Sequence, residues 1–218
     1  MLEDPTGLDE LRRLGARSVP VLSRGDDYVF AQNIGHVVKF LDLNEATGPV
    51  LTPDQLVQRL QGFLDAAIRM IPQMPNAKMS TEVPNRPRSY RVLAHHIFRI
   101  PETFLEVAGG ATLAYEKLTA LPPDSMQTTA DIIDYGAGVK RRLTGWWAAK
   151  LDKSGREPVQ TYYGEQTLHE YLERTTWHVG QHVRQWVMLL DMTGIAADHP
   201  PVDADFANLP MPSQVWDG

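Results

Sequence analysis

The sequence predicts a mainly α-helical chain. We read a four-helix bundle over residues 50–195, a small α/β segment before it over residues 1–45, and an extended Pro-rich tail over residues 196–218. Three observations predict this. Four long segments repeat apolar residues at helical period. Pro- and Gly-rich stretches separate them. The first forty residues follow a different rule, reading helix, strand, strand, helix, which is too short a stretch to build a core alone.

The elements follow in order. GLDELRRLG reads as a short helix ended by Gly15. SVPVLS and DYVFA read as short strands, with RGDD between them as a hairpin turn. IGHVVKFLDL reads as a second short helix. Thr52 is a good N-cap and Pro53 suits the first helical position. The helix they open, PDQLVQRLQGFLDAAIRMI, carries Leu56, Leu60, Phe63, Leu64, Ala67 and Ile71 on one stripe. IPQMPNAKMSTEVPNRPRS is a loop with four prolines. A second long helix spans 89–107, and a weaker segment lies between AGGATL and LPPDSM. A third long helix covers 128–151. DKSGREPVQTYYGEQ reads as a loop with some extended structure. The fourth long helix covers 167–192 and ends at Gly194, a natural residue just past a helix end. In the tail, Phe206 and Trp216 are candidate anchors onto the body.

Composition excludes several function classes. The net charge is −6, the wrong sign for a broad nucleic-acid footprint. No apolar run reaches membrane-spanning length, and MLEDPTGLDELRRLG is too charged for a secretory leader. The expectation is a soluble, cytoplasmic protein without nucleic-acid or membrane partners. There is no cysteine, so disulfides, cysteine-ligated zinc and a cysteine nucleophile are excluded. Any thiol chemistry must use a thiol from outside the chain.

The chemistry-bearing motif is RTTWHVGQHVRQW, residues 174–186. His178 and His182 are four residues apart on a segment with no helix breaker, so both lie on one face. Tyr171, Thr175, His178, His182 and Gln185 form one polar stripe. Two neutral imidazoles at this spacing can bind one metal ion. No Glu follows the first His, so this is not the HExxH of a metalloprotease. In SYRVLAHHIFRIPETFLEV the apolar stripe is Leu93, Ile97, Ile100 and Phe104. His96 lies about 60° from Leu93 on a helical wheel, at the edge of the core face, while His95 points roughly 160° away, nearer solvent. Periodicity therefore selects His96 as the third inward histidine. The bland alternative is that these side chains only hydrogen-bond one another or a carbonyl.

LAHHIF, then HVGQHVRQ and the closing MTGI, resemble the DinB-like metal-dependent four-helix family over roughly residues 50–195. The resemblance implies a divalent metal, commonly zinc, on His96, His178 and His182, with Gln185 supporting them. Family members include thiol-dependent isomerases and thiol S-transferases, and others have no known activity. ARSVPVLSRGDDYVFAQNIGHVVKFLDL is similar to the C-terminal half of a glutaredoxin, whose cysteine-bearing first half is absent. There SVP corresponds to a cis-proline segment. The resemblance implies that Val19 and Pro20 meet the peptide backbone of glutathione, with Asn33 close to the position that would hold one of its carboxylates. The alternative is a segment that merely packs.

These readings imply a metal-dependent enzyme that takes a small-molecule electrophile and an external low-molecular-weight thiol, with glutathione as cosubstrate. The reaction would be thiol addition, S-transfer or isomerisation through a thiol adduct. A non-catalytic, metal-stabilised ligand-binding or stress protein of the same fold is the alternative, and a homodimer is compatible with either. No residue is assigned a catalytic role. Arg184 and Tyr171 are candidates to orient anionic substrate groups, and Glu102, Glu165 and Glu170 are proton-carrier candidates.

Overall fold

The structure is a computed structural model, and it describes residues 5–16, 19–45, 47–84 and 86–216. The chain is mainly helical, with two small two-stranded sheets. It divides into two compact units, residues 1–48 and 49–218. Among the described residues no helix is long and apolar enough to cross a membrane.

The first unit follows the predicted order. Helix α1 (Pro5–Leu14) leads into strands β1 (Val21–Arg24) and β2 (Asp27–Phe30), which pair antiparallel with Val21 opposite Phe30. Gly25 sits in the turn at φ 66°, a conformation open to glycine. Arg13 reaches this turn, donating to the Gly25 carbonyl at 2.7 Å. Helix α2 (Ile34–Phe40) starts at Asn33, whose Oδ1 accepts from the Gly35 and His36 amides at 2.8 and 3.3 Å. No described residue of this unit is fully buried. A segment this short cannot surround a side chain on all sides.

The second unit has a true core. Helix α3 (Pro53–Met70) opens with a reciprocal cap: Thr52 Oγ1 accepts from the Gln55 amide, and Gln55 Oε1 accepts from the Thr52 amide. The predicted stripe Leu56, Leu60, Phe63, Leu64, Ala67 is buried. The Pro-rich connection is more ordered than a plain loop. It makes two 3-10 turns, Ile71–Gln73 and Asn76–Lys78, and inserts Met74, Met79 and Val83 into the core. Helix α4 (Tyr90–Ala108) follows, then the short α5 (Tyr115–Leu118). Helix α6 (Thr129–Ala149) stops two residues before the predicted end, because Lys150 turns extended and Leu151 projects fully into solvent. The segment read as a loop with extended structure is a hairpin, β3 (Pro158–Thr161) and β4 (Gly164–Thr167). The longest helix, α7 (Leu168–Met192), also begins at a reciprocal cap, between Thr167 and Glu170. The tail is not wholly extended, since a single turn, α8 (Asp203–Phe206), interrupts it. There Phe206 stacks on Phe63 at 5.1 Å, as the anchoring expectation required.

Helix α7 packs on α3 and α4, and α6 packs on α4 and α3. Helix α4 is therefore covered on two sides, by α6 and by α7. Close approach to α6 depends on Gly136, where an added Cβ would stand 2.6 Å from the Phe98 ring. Phe98 is fully buried and cannot swing aside. Gly136→Ala is expected to lower stability by about 1–3 kcal/mol, the cost of overpacking a filled core. Urea denaturation checks this, and an unchanged midpoint would contradict the packing described.

Candidate metal centre

Two helices build the centre. Helix α4 contributes His96, and α7 contributes His178 and His182 from successive turns. The ring centroids are 4.8 Å apart for His178 and His182, 5.0 Å for His96 and His182, and 5.5 Å for His96 and His178. One ring nitrogen from each lies within 4.8 Å of the other two. Nitrogens on a single tetrahedral ion stand roughly 3.3 Å apart. The sequence-selected trio thus comes together, its nitrogens within 4.8 Å of one another, and could hold a metal ion.

Hydrogen bonding determines the His182 tautomer. Gln185 Nε2 donates to the Val215 carbonyl at 3.0 Å, and a carbonyl can only accept. Gln185 Oε1 takes a bond from Arg88 Nη2 at 3.2 Å, and a guanidinium can only donate. Oε1 must then be the acceptor in its 2.7 Å contact with His182 Nδ1. His182 therefore carries its proton on Nδ1, and Nε2 is left with a bare lone pair. That Nε2 is buried and has no protein partner. An orphaned buried acceptor beside two further imidazoles is what a three-nitrogen metal site needs. Gln185, expected on the same face, is thus the residue that bonds the His182 ring.

Burial also keeps these rings neutral. It holds His96 well below the usual His range, and the His182 imidazole lowers it further. His178 is pushed down the same way, by burial and then by its two imidazole neighbours. Burial and then Arg88 bring His182 down to about 4, against the opposing hydrogen bond to Gln185. Metal ligation requires neutral imidazole, so little proton work remains at neutral pH. Stability follows with a definite sign. A folded value below the unfolded one means the unfolded chain takes up protons first as pH falls. The stabilisation is complete above about pH 6.5 and is lost on descending towards 4. For His182 alone this amounts to about 3 kcal/mol. The metal-free chain should show a flat urea midpoint above pH 7 and a falling one between about 6.5 and 4. A profile flat through that window would contradict neutral burial.

His95 is a correction. It was expected nearer solvent and is instead buried, stacked on Tyr135 of α6 at 5.2 Å. The single-stripe wheel failed because α6 covers the face of α4 opposite α7. Burial followed by Arg99 lowers the His95 imidazole to about 4. Tyr135 in turn donates to Glu102, which also binds Arg99 and Arg142. Glu102 thus belongs to a structural network. Glu170 caps α7 and Glu165 accepts from Gln160. Arg184 is spent on the tail, donating to the Pro212 carbonyl at 3.0 Å and to Gln181 at 3.1 Å. Tyr171 is buried against Phe104. Neither is brought to the centre.

A pocket of about 450 Å³ opens over His178 and His182. Arg88, Trp177, Gln181 and Trp216 complete its principal walls. Sequence reasoning missed all four as site residues. Arg88 lies in the Pro-rich connection, next to the helix-capping Ser89, and nothing periodic marks it. Trp216 was foreseen only as an anchor. Its Nε1 contacts Met188 Sδ at 2.9 Å, and Gln181 Nε2 donates to the Gln214 and Val215 carbonyls at 3.1 and 2.6 Å.

The residues assigned to thiol binding lie in the first unit. The Val19–Pro20 bond is cis. The Val19 carbonyl accepts from Gln32 Nε2 at 3.0 Å, and Asn33 Oδ1 is occupied in capping α2. Ser18, the first residue of the SVP motif, lies outside the described residues. No protein-family model matches the chain, and no curated protein is significantly similar to it.

Proposed function

We propose that the second unit is a DinB-like four-helix bundle holding a divalent metal on His96, His178 and His182, and that the protein is an enzyme using an external thiol. The observation that carries this is the bare, buried, unpartnered Nε2 of His182, facing two neutral imidazoles at the wall of a pocket. Three nitrogen donors suit zinc. Three protein ligands leave a further position for a reactant, and no fourth His, Asp or Glu joins the cluster among the described residues. When bound, the ion lowers the pKa of a coordinated thiol or water and so supplies a nucleophile at neutral pH.

The chain's own residues do the rest. Gln185 holds the His182 ring in its Nδ1–H tautomer, and the Val215 carbonyl and Arg88 hold Gln185. Trp177 and Trp216 wall the pocket with apolar surface, which strengthens electrostatic contacts inside it. The protein lacks cysteine, so the thiol comes from solution. Glutathione is proposed for that role because residues 1–45 resemble part of a glutaredoxin. Addition of the thiol to an electrophile, S-transfer and isomerisation through an adduct are the reactions this arrangement supports.

The test is metal analysis of tag-free protein with thermal shifts in zinc, glutathione and both. About one metal per chain is expected, with a glutathione shift that appears only when zinc is present. Protein without stoichiometric metal removes the mechanism. A zinc shift indifferent to glutathione and other small thiols would leave a structural metal site.

A further inference from the structure

We infer that the pocket over His178 and His182 is built for a ligand bearing a carboxylate, and that Arg88 is the residue that recognises it. This rests on the proposed function in taking the pocket as the substrate's place, but the charge argument stands separately. Arg88 is a half-buried guanidinium on the pocket wall. It forms no ion pair among the described residues. Its one side-chain hydrogen bond to a described residue, from Nη2 to Gln185, goes to a neutral amide at 3.2 Å. Its Nε is buried with no partner. Its cationic face lies over the Trp216 ring, 6.0 Å from the centroid. A guanidinium has five N–H donors, so most of this group's capacity is unused.

Burying an uncompensated charge is expensive, and buried cations are normally paired. Among the described residues the walls hold no carboxylate: Arg86 and Arg88 are the charged lining residues, in a chain whose net charge is −6. Arg174, one turn before His178 on α7, adds a third cation nearby. It lies over the Tyr163 and Trp177 rings at 4.8 and 5.7 Å. Positioning Gln185 would explain one Arg88 donor but needs no charge, since a neutral donor would serve. A charged group with spare donors, in a pocket whose described walls carry no acid, is complementary to an anion. The planar guanidinium matches a carboxylate best, through paired N–H bonds. The Arg88–Gln185–His182 chain places that carboxylate beside the metal ligands, so one small molecule can reach both.

The test is calorimetric titration of the zinc-loaded full chain with 3-mercaptopropionate and with its neutral amide, 3-mercaptopropionamide. Propionate, which has no thiol, is titrated in parallel. The acid should bind about tenfold to hundredfold tighter than the amide, the range of a charge-assisted hydrogen bond. Arg88→Met should reduce that preference to less than about twofold, read as the acid-to-amide ratio within the zinc-loaded variant so that any loosening of the centre through Gln185 affects both ligands alike, and Arg88→Lys should retain part of it. Equal binding of acid and amide to the unaltered protein overturns the inference and leaves the thiol reading standing; this comparison needs no variant to fold. A preference undiminished in a folded Arg88→Met overturns the assignment to Arg88. If neither thiol binds but propionate is held in an Arg88-dependent way, the anion site stands and the thiol reading falls.

Discussion

Replacing His178 by Ala is expected to abolish stoichiometric metal binding. Removing a hydrogen-bonded supporter of a ligand typically costs about 10–100-fold in affinity, and removing a ligand itself should cost more. His178 is one of three nitrogens in the cluster, so two remain and the chelate is lost. His96→Ala should behave alike, since it supplies the only ligand from α4. The control is the neighbour: His95→Phe should keep full metal occupancy, because His95 stacks on Tyr135 and is not in the ligand group. Competition against a chromophoric chelator reads all three variants. Retained stoichiometric metal in His178→Ala, or loss in a folded His95→Phe, would sink the assignment of the centre.

Trp186→Ala should give the largest loss of stability, about 3–5 kcal/mol. Trp186 is fully buried, one turn beyond His182, and meets Tyr90 at the start of α4 edge-on with centroids 6.5 Å apart. It fills the seam between the two helices that carry the ligands. The cavity should therefore loosen the metal centre as well as the fold, and metal affinity should fall in the same variant. Trp186→Phe should cost far less, because the indole Nε1 has no partner to lose. Urea denaturation of both variants checks the ranking. Equal losses would mean the indole nitrogen carries an interaction that its surroundings do not reveal.

Much of the helical unit was legible because its helices announce themselves locally. Thr52 caps, Pro53 opens, and Gly194 closes, each through contacts within a few residues. The stripe Leu56 to Ala67 needs only the 3.6-residue period to be read. The same period joined His178, His182 and Gln185 on one face, and set His96 at a core edge. It misled at His95, since one stripe per helix assumes one buried side. Helix α4 has two, and no local pattern reports that. The connection between α3 and α4 misled differently. Its prolines signalled a loop, yet Met79 and Val83 are core residues, because a chain segment crossing the end of packed helices can bury apolar side chains without periodicity.

The sequence by itself determined the helical segments, their caps and the three imidazoles, because these follow from the spacing of neighbours along the chain. It also determined that any thiol must be external, because there is no cysteine to supply one. The tertiary structure decided what surrounds the imidazoles. Arg88 and Val215 reach Gln185 from 97 and 30 residues away along the chain, and between them orient its amide and settle the His182 proton. The pocket has the same origin. Its walls come from the Pro-rich connection, from α7 and from the tail, and only folding brings these segments to one place. Contacts at such separation leave no periodic trace, so the three imidazoles could be read from the sequence while their environment could not.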